Sequence, residues 1–122
     1  MTEVPQVDVT DLPTDPPPGA PGAPGAPGGI VLLDVREDDE WQAGHAPGAI
    51  HVPLGQIPAR LDELPEGGEV HVVCRTGGRS QQAATWLSRN GYDAVNVAGG
   101  MTAWVAAGRP MVADGDTEPF VR

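Results

Sequence analysis

The sequence predicts an α/β layered domain. Apolar runs rich in β-branched residues, at 30–35, 70–73 and 94–97, have the composition of buried strands. Helix-spaced apolar residues fall between them, as at Ala83, Ala84 and Leu87. Strands alternating with helices specify parallel pairing through right-handed crossovers. At 122 residues the chain has room for one small domain with a modest core.

Val4 to Val9 alternates apolar and polar residues, as a half-buried strand does. Pro5 cannot donate to a ladder, so this strand belongs at an edge. Asp11 and Leu12 begin a short helical turn, and residues 1–15 form the first strand and turn. Residues 16–29 are proline, glycine and alanine only, with three Gly-Ala-Pro repeats. A collagen helix needs many more triplets and three chains, so this stretch reads as an extended, disordered loop. Loop-closure entropy grows slowly with length, so such an insertion is tolerated. The core occupies residues 30–113.

Ile30 to Val35 reads as a central parallel strand interrupted by Asp34. Asp34 sits at its end, where α/β proteins place functional groups, and can equally cap nearby backbone N–H groups. Arg36 and Glu40 stand four apart on the next helix, the spacing of a surface ion pair. Trp41 is assigned to the core. Gly44 to Ala49 is a turn-rich connection into a strand at Ile50 to Val52. His45 is read as a turn or packing residue, and His51 and His71 as structural. Three scattered histidines and one cysteine lack metal-ligand spacing, so neither metal nor cofactor is expected.

Leu54, Ile57, Leu61 and Leu64 predict an amphipathic helix stopped by Pro65. Gly67 and Gly68 turn the chain into the next strand. Asn90-Gly91 ends the following helix, and Ala94 to Val97 forms the last strand. Gly99-Gly100 opens a final helix, with Trp104 inward and its end at Gly108. Residues 114–122 are acidic and polar and are expected to form a flexible tail.

The chemistry concentrates between Val70 and Leu87. The chain's one cysteine, Cys74, falls where a strand gives way to a helix, followed by Arg75, Thr76, Gly77, Gly78, Arg79 and Ser80. A helix start leaves N–H groups unpaired and adds partial positive charge. Two glycines let successive N–H groups curl into an anion-holding nest. A free thiol titrates near ~8.5. A helix terminus contributes up to ~2 kcal/mol, or about 1.5 units. With two guanidiniums nearby, the expectation is a reactive thiolate facing an anion cradle.

The chain carries a net charge of -10, yet Val70 to Tyr92 contains Arg75, Arg79 and Arg89 and no Asp or Glu. A positive island in an acidic protein suits a small anionic substrate and disfavours nucleic acid. No apolar run is long enough to span a membrane, and no secretion signal is evident. A lone cysteine fits a reducing cytoplasm.

Cys74, Gly77, Arg79 and Ser80 match Cys-x-x-Gly-x-Arg-Ser/Thr, and the chain thereby resembles the rhodanese family of sulfurtransferases. L-L-D-V-R-E at 32–37, G-H-A-P-G-A at 44–49 and G-G-M-T-A-W at 99–104 fit the same family in order. The resemblance covers roughly residues 30–113. It implies a three-layer fold with a central, mostly parallel five-stranded sheet flanked by helices. It also implies a persulfide formed on Cys74, with residues 75–80 as the loop that holds the sulfur. Asp34 and Arg36 are implied as supporting residues, Asp34 pairing with a loop arginine such as Arg79. The implied partners are a small anionic sulfur donor such as thiosulfate and a thiol or cyanide acceptor, which can be a protein. A monomer is expected. Four residues separate Cys74 from Arg79, one fewer than in cysteine-dependent phosphatases, which disfavours phosphatase or arsenate reductase chemistry. A sulfur-carrier or redox-sensing module is the alternative from another class.

Overall fold

The computed structural model describes residues 4–11, 30–64, 69–115 and 118–122. The repeat-rich loop expected at 16–29 and the turn expected at Gly67-Gly68 lie outside these residues. Five strands, β1 (Gln6–Asp8), β2 (Ile30–Asp34), β3 (Ile50–His51), β4 (Glu69–Val73) and β5 (Asp93–Ala98), form one sheet. Its order is β1-β5-β4-β2-β3, and every pairing is parallel. Helices α1 (Asp38–Ala43), α2 (Gly78–Arg89) and α3 (Gly100–Ala106) complete the fold. β1 is an edge strand, as Pro5 requires, and the Pro5 carbonyl accepts a bond from the Asn96 amide (2.9 Å).

Alternation along the strands divides the core in two. Leu33, Val35, Val70 and Val72 face α2 through Ala83, Ala84 and Leu87. Leu32, Val73 and Val97 face α3 through Met101 and Trp104. β4 lies in the middle of the sheet, between β5 and β2. Among the described residues, no helix is long and apolar enough to cross a membrane.

Three expectations are corrected. Leu54 to Leu64 is not one helix but two 3-10 turns, Leu54–Gln56 and Leu61–Glu63. Pro58 lacks the N–H that a continuous helix would need there. Ile57 and Leu64 are nevertheless buried, because the tight turns still aim them at the core. Trp41 is only half-buried and lies outside both clusters. It is stacked between His45 (centroids 3.6 Å apart) and His51 (4.7 Å). Arg36 and Glu40 do not form a surface pair, since Arg36 is fully buried.

Among the described residues of the tail, Asp114 and Phe120 bond to α1. The Asp114 amide donates to the Gln42 carbonyl (3.1 Å) and the Phe120 amide to the Ala43 carbonyl (3.0 Å). Val112 and His45 bridge antiparallel, and Val121 joins the cluster under α3. Gly44 fits beneath this segment because a Cβ would meet the Phe120 backbone nitrogen at 2.8 Å.

Candidate active site

Cys74 follows β4 directly and is 1% exposed. The chain then turns sharply and enters α2 through Gly77, whose φ of 117° is open to glycine. This turn brings two donors onto the sulfur. The Gly77 N–H donates to Sγ at 3.0 Å, and the Ser80 hydroxyl at 3.3 Å. Burial pushes the thiol up, but bonds from the Ser80 hydroxyl and from the Ser80, Gly77 and Thr76 amides outweigh it. The net result is a thiol held below its ordinary value. The direction agrees with the sequence expectation, and the loop amides expected to form an anion-holding nest are among its causes. The largest lowering causes are the Ser80 hydroxyl and the loop amides, and Arg79 interacts with the thiolate as well.

Those arginines sit differently from one another. Arg75 and Thr76 are exposed at the turn. Arg79 is engaged by Glu40 of α1 in a bidentate pair, Nη1 to Oε1 at 2.6 Å and Nη2 to Oε2 at 2.8 Å. The Arg79 bonds hold the Glu40 carboxyl below its usual range against the effect of burial. Glu40 also accepts the Glu37 N–H (3.0 Å) at the start of α1. Asp34 therefore does not pair with Arg79. It holds Arg36, which donates from Nη2 to Asp34 Oδ2 (2.7 Å) and from Nε to Oδ1 (3.0 Å). The same Nη2 reaches the Gly44 carbonyl at 2.7 Å. Asp34 and Arg36 share one side of the chain because they are two residues apart at a strand end. Their pair is a buried brace between β2 and the loop after α1.

The back of the loop is held by elements from far along the sequence. The Met101 amide donates to the Cys74 carbonyl (2.8 Å) and the Thr102 amide to the Arg75 carbonyl (3.0 Å). Gly100 allows this approach, since a Cβ there would lie 2.7 Å from the Arg75 carbonyl carbon and oxygen. Asn96, buried in β5, donates from Nδ2 to Gln6 Oε1 (2.8 Å) and reaches the Gly77 carbonyl at 3.4 Å. Glu40 and Asn96 were both missed by sequence reasoning. Glu40 carried no distinguishing signal, whereas Asn96 is a lone carboxamide in an apolar strand, a signal that was there to read.

A reduced thiol at the end of a central parallel strand, ringed by N–H and O–H donors, defines a class. It is an α/β domain that can stabilise a thiolate, or a second anionic sulfur bound to it. The chain belongs to the rhodanese-like family, whose Rhodanese-like domain matches residues 24–107. It is 40% identical over 85 residues to a protein of Allochromatium vinosum named "Sulfurtransferase", covering 69% of this chain and 79% of that protein. It is 42% identical over 74 residues to the "Putative sulfur carrier protein YrkF" of Bacillus subtilis, covering 60% of this chain but only 40% of that one. A rhodanese-related crystal structure from Thermoplasma volcanium superposes with a TM-score of 0.74 at 26% identity, over 90% of this chain and 99% of that one.

Proposed function

We propose that this chain is a sulfurtransferase that carries sulfane sulfur on Cys74. The observation that carries the reading is the pair of donors, Gly77 N–H and Ser80 O–H, aimed at Sγ. In the first step the Cys74 thiolate attacks the outer sulfur of thiosulfate. The S–S bond of the donor breaks, and sulfite leaves with its electron pair. The product is a Cys74 persulfide, whose terminal anionic sulfur is stabilised by the preorganised donors of residues 76–80. In the second step cyanide or a thiolate attacks that terminal sulfur, and the Cys74 thiolate departs, ready for another cycle. Arg75, exposed at the turn, guides the anionic donor. The name of the Allochromatium relative supports the transfer reading. The chain works as a monomer in a reducing compartment such as the cytoplasm, where its thiol persists.

The test is intact-protein mass spectrometry after thiosulfate and then cyanide. The expected result is a gain of one sulfur on Cys74, lost with cyanide and absent in folded Cys74→Ser. No gain with Cys74 still alkylatable refutes thiosulfate as donor. The near-complete burial of Cys74 and the name of YrkF favour a second reading, in which the chain stores sulfur for a protein acceptor. A persulfide that forms but passes slowly to cyanide, and rapidly to a protein thiol, distinguishes it.

A further inference from the structure

Three arginines lie at or near the sulfur site, but they are not equally available to a substrate. Arg36 is buried against Asp34 and the Gly44 carbonyl. Arg79, five residues after Cys74 and in the first turn of α2, spends both ends of its fork on Glu40. Its side chain is 35% exposed, whereas that of Glu40 is only 13% exposed. Glu40 is itself fixed from behind by the Glu37 amide. Among the described residues, only Arg75 of the three has no carboxylate partner. Arg79 on α2 interacts with Cys74 and is faced by Glu37 and Glu40 at the start of α1, while Arg75 is exposed on the loop.

We propose that Glu40 is a positioning residue that sets the site's selectivity by donor charge, withholding the Arg79 guanidinium from incoming anions. This deepens the sulfur-transfer reading and rests on it. An ion pair presents far less field to a third charge than a lone guanidinium does. The site is thereby less electropositive than its arginines suggest, and it discriminates less strongly in favour of dianions. Glu40 also keeps the thiol from being driven too far down. A very acidic thiol is a poorer nucleophile, so a neutralised Arg79 leaves Cys74 ionised by local donors yet reactive.

The direction of the effect separates this role from a merely structural one. If Glu40 only anchors the loop, removing it loosens the donors on Sγ, raises the thiol and weakens donor binding. If it withholds Arg79, removing its charge does the opposite. The experiment compares thiosulfate, a dianion, with methanethiosulfonate, a monoanion carrying the same type of sulfane sulfur. Glu40→Gln is expected to lower KM for thiosulfate about fivefold and for methanethiosulfonate about twofold, with kcat changing less. The midpoint of thiol alkylation against pH is expected to fall by about half a unit. Both gains should disappear in Glu40→Gln combined with Arg79→Ala. A thiosulfate KM that stays or rises, equal changes for both donors, or a midpoint that rises would each overturn the proposal. If Glu40→Gln does not fold, Glu40→Asp loosens the fork while keeping the charge. It should lower the thiosulfate KM by a smaller factor, and no movement overturns the proposal. If neither donor loads wild-type Cys74, the sulfur-transfer reading fails, and the alkylation midpoint still reports whether Glu40 screens Arg79.

Discussion

Ser80→Ala isolates one of the bonds that ionise the thiol. Ser80 is fully buried, and its hydroxyl donates to Cys74 Sγ at 3.3 Å. A hydrogen bond to a charged group contributes about 1.5–3 kcal/mol, and sulfur is a weak acceptor, so the lower end applies. About 1.4 kcal/mol corresponds to roughly one pKa unit. The alkylation midpoint should therefore rise by about one unit. Intrinsic nucleophilicity rises with it, by about threefold for a Brønsted slope of about 0.45. Below both midpoints the variant should react about threefold more slowly than wild type, and above both about threefold faster. The crossing of the two pH–rate curves is the measurement, taken with iodoacetamide under pseudo-first-order conditions. Stability follows the same linkage. The folded thiol is lowered, so its contribution is present above the unfolded value of ~8.5 and lost as pH falls through the folded one. The stability gap between wild type and Ser80→Ala should widen toward alkaline pH by about 1.4 kcal/mol. A midpoint that does not rise, or curves that never cross, would refute the assignment of Ser80 as the donor.

The remaining predictions concern what holds the cradle. Gly100→Ala places a Cβ against the Cys74 and Arg75 backbone at a φ of 56°, and should cost at least about 2 kcal/mol in urea unfolding. Gly91→Ala, at a φ of 90° with nothing near its Cβ, should cost about 1 kcal/mol, and equal losses would show that the close approach does not matter. Arg36→Met leaves Asp34 buried without its partner and should destabilise by about 3–5 kcal/mol. Asp34→Asn in the same chain should recover part of that loss, and no recovery would mean that the cost lies elsewhere.

What could be read from the sequence was local. The strand ends, the Gly77 turn and the Ser80 position lie within seven residues of Cys74, so spacing alone aligned them. The parallel sheet followed from the alternation of buried runs and helix patterns. What escaped was long-range or masked by a local rule. Arg36 and Glu40 satisfy the four-residue spacing of a helix pair. Arg36, however, precedes α1, and the true partner of Glu40 lies 39 residues away. Leu54 to Leu64 satisfied helical periodicity while Pro58 denied the backbone its hydrogen bond. The bonds from Asp114 and Phe120 to α1 run through backbone groups, which composition does not report. Trp41 reads as core on size alone, but two imidazole faces cover it instead.

The bonds from Met101, Thr102 and Asn96 to the loop give the thiol a history within the life of each molecule. Cys74 is made well before the residues that hold its loop in place. A nascent chain that ends before α3 carries the cysteine without the Met101 and Thr102 amides that hold the Cys74 and Arg75 carbonyls. The backing of the loop is therefore complete only when the last helix docks. Any change that frays α3 should silence the site without touching a residue that meets the sulfur.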